Sequence, residues 1–187
     1  YVPDDNFANG RMNPHWQWNH VPDDSKWSLT EKPGVLQLHS LPASDFYHAR
    51  NSLCQRPPGP ESIMTVELDT AGLANGDVVG LALLCNPYVW IGVVKSTNGT
   101  SLQLYASLAV RRGFGRRVGE AAAPVTAPIV NSGTPPDHLW LRVHCNFDSD
   151  QAIFSWSADG KDFTSLGKPW PIPGFQLQTF QGVRAAL

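Results

Sequence analysis

The chain has 187 residues, enough for one domain with a sizeable core, and 42% of them are hydrophobic against 16% charged. A formal net charge of −2 removes nucleic acid and acidic membrane surfaces from the expected partners. Sixteen glycines and sixteen prolines disfavour a helical protein and suit short strands joined by turns.

No apolar run approaches the ~20 residues of a membrane span. The opening Tyr1-Val2-Pro3-Asp4 has neither the basic segment nor the apolar run of a signal peptide. Beginning without methionine, it suggests a processed or excised piece. The first rich stretch is "HWQWNHVPDDSKW", His15 to Trp27, which carries three of the seven tryptophans. Indoles stack on the C–H faces of sugar rings, and planar amides pair with hydroxyls. Trp16, Trp18, Asn19 and His20 are therefore candidate sugar contacts, with burial in a core as the competing use of the tryptophans. Alternation would set Trp16, Trp18 and His20 on one side and Gln17 and Asn19 on the other.

Nearly every later segment has period two. "GVLQLHS" reads as a strand, and "IMTVELD" alternates Met64, Val66 and Leu68 with Thr65, Glu67 and Asp69. "VVGLALLCN" is apolar on both faces, the pattern of a strand covered on both sides. "YVWIGVVKS" sets Trp90 opposite Val89 and Ile91, and "SLQLYASLAV" follows the turn at Asn98-Gly99. Asn98-Gly99-Thr100 is a glycosylation acceptor only in a protein secreted from a eukaryote. The basic run Arg111 to Arg117, interrupted by glycines, reads as a solvated loop. "LWLRVHCNF" and "QAIFSWSADG" form a hairpin across Asp148-Ser149-Asp150. Its first strand sends Leu139, Leu141, Val143 and Cys145 inward. Trp140, Arg142, His144 and Asn146 share the other face, either as a ligand surface or beneath a loop. "KPWPIPGF" cannot be a central strand, while "TFQGVRAAL" ends the chain as one. No segment supports a helix of three turns. The fold class is all-β: an antiparallel two-sheet sandwich of jelly-roll type.

Catalytic signals are sparse. Glycoside hydrolysis needs two carboxyl groups, about 5.5 Å or about 6.5–9.5 Å apart. Glu67 and Asp69 on one strand face are the nearest pair, with solvated acids as the plainer account. No Gly-x-Ser-x-Gly elbow occurs. Cys54, beside Arg56, is a weak thiolate candidate, and Cys85 and Cys145 read as small core residues. The cysteines lack CxxC spacing, and His15, His20 and His144 have no spacing that demands a metal.

"WQWNHVPDDSKWSLTEKPGVLQLHS", "DFYHARNSLCQRPPGP" and "MTVELDTAGLANGDVVGLALL" resemble the C-terminal concanavalin A-like domain of glycoside hydrolase family 43 β-xylosidases, also treated as carbohydrate-binding module family 91. The resemblance runs from about Asn6 to the last residue and implies one concanavalin A-like domain over 1–187. Family members usually continue past "VRAAL" with a further strand, so a final strand is expected to be missing. The resemblance also implies a five-bladed propeller partner that carries the catalytic carboxylates and cleaves xylosides or arabinosides. A sandwich loop then completes the substrate pocket with an aromatic residue. The matching stretch is "SDFYHAR", with Phe46 as the aromatic and Tyr47, His48 and Arg50 as neighbours. Expected partners are xylan and xylo- or arabino-oligosaccharides, in an extracellular setting or, alternatively, the cytoplasm. No cofactor is required, although domains of this class often hold a structural calcium ion, for which Asp4, Asp5 and Asn6 are placed. A non-catalytic accessory domain is thus expected, with a stand-alone hemicellulose-binding module or a small hydrolase using Glu67 and Asp69 as alternatives.

Overall fold

A computed structural model describes residues 4–107, 130–174 and 182–187; the basic run Arg111 to Arg117 lies outside them. The first four strands are short: β1 (Gln17–Trp18), β2 (Trp27–Ser28), β3 (Gln37–Leu38) and β4 (Leu53–Gln55). The long ones follow as β5 (Glu61–Asp69), β6 (Val78–Leu84), β7 (Val89–Ser96) and β8 (Gly99–Ala106). After β9 (Val130–Asn131) come β10 (His138–Asn146) and β11 (Gln151–Ser157). Last are β12 (Thr164–Ser165), β13 (Trp170–Pro171) and β14 (Arg184–Ala186). The helical pieces among the described residues are single 3₁₀ turns at Asp24–Lys26 and Phe46–His48.

Two sheets make the sandwich, in the order β1-β4-β14-β6-β7-β8-β9 and β12-β11-β10-β5, with β13 against the edge of β11. Every pairing is antiparallel. The core between them follows from period two. Leu81, Leu83, Val89, Ile91, Val93, Leu102 and Leu104 of the larger sheet meet Leu139, Leu141, Val143, Cys145, Ala152 and Phe154 of the smaller. Burial of such side chains is worth roughly 1.5–3 kcal/mol each, and this sets which face of each strand turns inward.

The expectation of a full strand at "GVLQLHS" is corrected: Gln37 and Leu38 alone pair, with Ser28 and Trp27, in a separate two-stranded ribbon. Pro33 and Pro42 bracket the segment, and proline lacks the N–H a longer ladder needs. The strand at the C-terminus has a central position. β14 lies between β4 and β6, with Ala186 opposite both Cys54 and Ala82.

Register also determines the outer face of the larger sheet. Cross-strand partners share a face, which lines up Gln17, Cys54, Ala186, Ala82, Trp90 and Tyr105 in one row across six strands. Three members of this row, Cys54, Ala186 and Ala82, are small and buried together with Leu84. This explains why β6 is apolar on both faces: Leu81 and Leu83 enter the core, while Ala82 and Leu84 lie under a loop.

Candidate functional site

That loop is the Phe46–His48 turn. Asp45 caps it in extended conformation, and its carboxylate accepts the His48 N–H at 3.1 Å and the His48 Nδ1–H at 2.8 Å. Burial works to raise the Asp45 pKa, but the bonds from the His48 ring and backbone outweigh it and hold the carboxyl below its ordinary value. Phe46 packs on the small-residue cluster of Cys54, Ala82, Leu84 and Ala186. Its ring also meets Tyr88 edge-on at 5.5 Å. From there the aromatic contacts continue through Tyr105 at 6.1 Å to Trp90, stacked on Tyr105 at 5.1 Å with 14° between planes. The loop is thus seated on the sheet by an aromatic chain, each contact adding about 0.5–1.5 kcal/mol beyond its buried area. Burial, helped by the neighbouring Tyr105, pushes the Tyr88 phenol well above its ordinary pKa, so it stays protonated.

The tryptophan-rich segment braces the same turn. Asn19 N–H donates to the Ser52 carbonyl at 3.0 Å, and His20 Nε2 donates to the Tyr47 carbonyl at 3.0 Å. Arg50 Nη2 donates to the Val21 carbonyl at 3.2 Å. Asn51, 6% exposed, pairs with both backbone groups of Asp23: its Oδ1 accepts the N–H at 2.8 Å and its Nδ2 donates to the carbonyl at 3.0 Å. Its φ of +60° suits asparagine, one of the few residue types that tolerate the left-handed region. Arg184 Nη2 reaches Asn19 Oδ1 at 2.6 Å, tying the brace to β14. Asp23 is held below the ordinary carboxyl range by the hydroxyl and N–H of Ser25.

The remaining candidates scatter. Gln17 and Trp18 alternate as expected, Trp18 sharing the face of Leu53. Trp16 and His20 follow no single face, because the strand ends after two residues. Trp16 donates its indole N–H to Asp5 at 2.8 Å and stacks on Phe7, while Trp18 packs on Trp27 at 5.3 Å. Trp140, Arg142 and His144 lie on the outer face of the smaller sheet, on the opposite side of the sandwich from Trp90 and the Phe46 turn. They cannot join that site. There Trp140 lies against Gly160, and Arg142 sits 3.4 Å over the Phe163 ring. His144 Nε2 is 3.6 Å from Glu61.

Glu67 and Asp69 share this second face. Glu67 accepts from His138 Nε2 at 2.7 Å, and Asp69 accepts from Lys32 Nζ at 3.1 Å, all at the solvent surface. The Lys32 contact and the Ala71 N–H hold Asp69 below the ordinary range, the reverse of what a catalytic acid requires. Burial pushes the Cys54 thiol up to about 11, with Arg184 rather than Arg56 as the opposing cation, so it is no thiolate at neutral pH. Cys85 and Cys145 are raised by burial to about 12, in keeping with core residues.

At the calcium position, Asp5 accepts N–H bonds from Phe7 at 3.0 Å, Asn13 at 2.9 Å and Trp16 at 2.8 Å. A cation at this position would share the Asp5 carboxylate with those donors, two of which reach Oδ2 and one Oδ1. Among the described residues no three His, Cys, Asp or Glu side chains gather as a metal set.

Reasoning from sequence missed Asn51, Tyr88, Tyr105 and Arg184. Asn51 was within reach, since "ARNSL" carried part of the resemblance. Tyr105 and Arg184 take their roles from register, and Tyr88 from its ring contacts with Phe46 and Tyr105 just ahead of β7.

The layered sheets and the loop seated on the larger one define a concanavalin A-like β-sandwich. The chain belongs to the family of β-xylosidase C-terminal concanavalin A-like domains, whose model matches residues 4–187. It is 25% identical over 167 residues to a putative β-xylosidase of Xylanibacter ruminicola, covering 89% of this chain and 27% of that one. It is 27% identical to a β-xylosidase of Formosa agariphila, covering 90% and 29%. The chain therefore spans less than a third of the curated relatives it matches. Among solved structures it is similar, at 27% identity and a TM-score of 0.81, to a GH43 glycoside hydrolase engineered to display both endo-xylanase and exo-arabinofuranosidase activity, covering 97% of this chain and 36% of that one. A bifunctional GH43-CE protein of Bacteroides eggerthii matches at 27% identity and a TM-score of 0.80, over 94% and 21%.

Proposed function

We propose that this domain is a non-catalytic accessory unit of a family 43 glycoside hydrolase acting outside the cell on xylan- or arabinan-derived oligosaccharides. Its work is to complete the substrate pocket of a five-bladed propeller in the same polypeptide with the loop built around Phe46–His48. The observation that carries this reading is the double brace on that loop. Side chains of His20, Arg50 and Asn51 and the seat under Phe46 hold it in one conformation, although the turn contains no buried residue. A loop held this firmly can orient a substrate and exclude water without contributing an acid or base. The family and the short span of the β-xylosidases covered support the same reading.

The test is replacement of Phe46-Tyr47-His48 by glycines in the complete enzyme. An expected loss of about 10-fold or more in kcat/KM on aryl xylosides, with the sandwich still folded, supports it. Unchanged kinetics would sink it. Trp90, partly buried on the outer face of the larger sheet and stacked on Tyr105, favours a second use as a hemicellulose-binding module. Calorimetric titration of the isolated chain with xylo-oligosaccharides separates the two, because an accessory domain gives no binding heat of its own.

A further inference from the structure

On the outer face of the larger sheet one charge stands without a counterion. Arg184 is on β14 and Asn19 just past β1, and β4 lies between these strands. The 2.6 Å bond from Arg184 Nη2 to Asn19 Oδ1 therefore crosses β4, over Cys54. The guanidinium charge acts on the Cys54 thiol, opposing the effect of burial, as this course requires. Cys54 and Ala186 face each other on that path, each 1% exposed, and side chains this small leave room for the arginine.

Arg184 is partly buried, and its Nε is shut from solvent with no hydrogen-bond partner. Among the described residues no carboxylate comes within ion-pair distance of it. The acids of the adjoining segments are committed elsewhere, Asp45 to His48 and Asp23 to Ser25. Arg56, which follows β4 at the level of Arg184, adds positive charge to this end of the face. A guanidinium does not discharge itself by losing a proton, so a partly desolvated one favours an anion beside it. The neighbours narrow the kind of anion. Trp90 and Phe46 pack on the same cluster that contains Cys54 and Ala186. Gln17, exposed, lies in one cross-strand row with Cys54 and Trp90. A planar guanidinium matches a carboxylate, aromatic rings match C–H faces and amides match hydroxyls. A sugar acid carries all three groups.

We propose that Arg184 is the centre of a site for an acidic sugar, a uronic acid carried on a xylo-oligosaccharide. Its carboxylate lies on the guanidinium, with Asn19, Gln17 and Trp90 around the ring. The inference extends the hemicellulose-binding use of Trp90 given above and is independent of what the Phe46–His48 turn does for a propeller. A carboxylate there cancels the charge that Asn19, a neutral amide, leaves standing. Neutral xylose units have no group that does so, and the site therefore separates charged from uncharged oligosaccharides.

Calorimetric titration of the chain with a xylo-oligosaccharide bearing a glucuronic acid branch, and with its unbranched neutral counterpart, tests this. The acidic ligand should bind about 10-fold more tightly or better, and added salt should narrow the gap. Arg184→Met should remove the preference, while Arg184→Lys should keep part of it, because an ammonium holds the charge without the planar fork. Circular dichroism checks the fold of each variant; should Arg184→Met not fold, the lysine variant and the salt series decide. Equal affinities for the two ligands would overturn the acid site and leave the hemicellulose-binding reading standing. Heat from neither ligand would overturn both. A preference that survives in folded Arg184→Met would sink the assignment to Arg184.

Discussion

At the scale of single residues, the site depends on polar side chains that grip backbone. Asp45 is the clearest case, its side chain only 19% exposed and bonded to both the ring and the N–H of His48. Its pKa is depressed in the folded protein despite the opposing effect of burial. A depressed carboxyl contributes stability that is complete above its unfolded value and lost as pH falls through the folded one. The Phe46–His48 turn should therefore loosen below about pH 4. NMR shifts of the Tyr47 and His48 amides followed from pH 6 to 3 would check this, with Asp45→Asn as the control that has already lost the transition. Turn amides that behave the same in the unaltered chain and in Asp45→Asn across the whole range would argue against the cap. Asn51 and Asp45 were both visible in the sequence as residues, but not as grips. Which backbone group a side chain reaches depends on a partner some 28 residues away, as with Asn51 and Asp23.

At the scale of elements, β6 and β7 show how packing decides what composition leaves open. Gly80 and Gly92 face each other across the two strands. A Cβ on Gly80 would run into the Ile91 carbonyl oxygen and stand 2.6 Å from Gly92 Cα. One on Gly92 would stand 2.6 Å from the Val79 carbonyl oxygen and 3.3 Å from the Trp90 ring. Both obstacles include backbone, which cannot swing aside. Gly80→Ala should cost about 3 kcal/mol, read from the urea midpoint of the isolated chain, and a neutral result would contradict the close approach. Strand identity here was legible: "VVGLALLCN" and "LWLRVHCNF" declared themselves by apolar runs and alternation. The bracketed ribbon at Gln37–Leu38 was not, because alternation continues where proline stops the ladder.

At the scale of the whole molecule, the chain closes through β14. This strand completes the larger sheet between β4 and β6, and Leu187 exchanges both backbone bonds with Leu53 at 2.9 and 3.1 Å. Deleting residues 184–187 would open the sheet at its centre and remove the seat beneath Phe46. The shortened chain should show no cooperative unfolding transition by circular dichroism; a sharp transition like that of the full chain would refute this.

By itself the sequence determined the class of fold, since period two and turn chemistry are local and each strand carries its own inward face. It also held the family likeness, because "WQWNHVPDD" and "DFYHARNSL" are the two halves of one brace and their residue types are demanding. Only the tertiary structure decided which candidates meet. It put Trp90 and the Phe46 turn on one side of the sandwich and Trp140, Arg142 and His144 on the other. It also seated Phe46 on the buried cluster of Cys54, Ala82, Leu84 and Ala186. Those relations come from register and sheet order among residues far apart in the chain, and no local pattern encodes them.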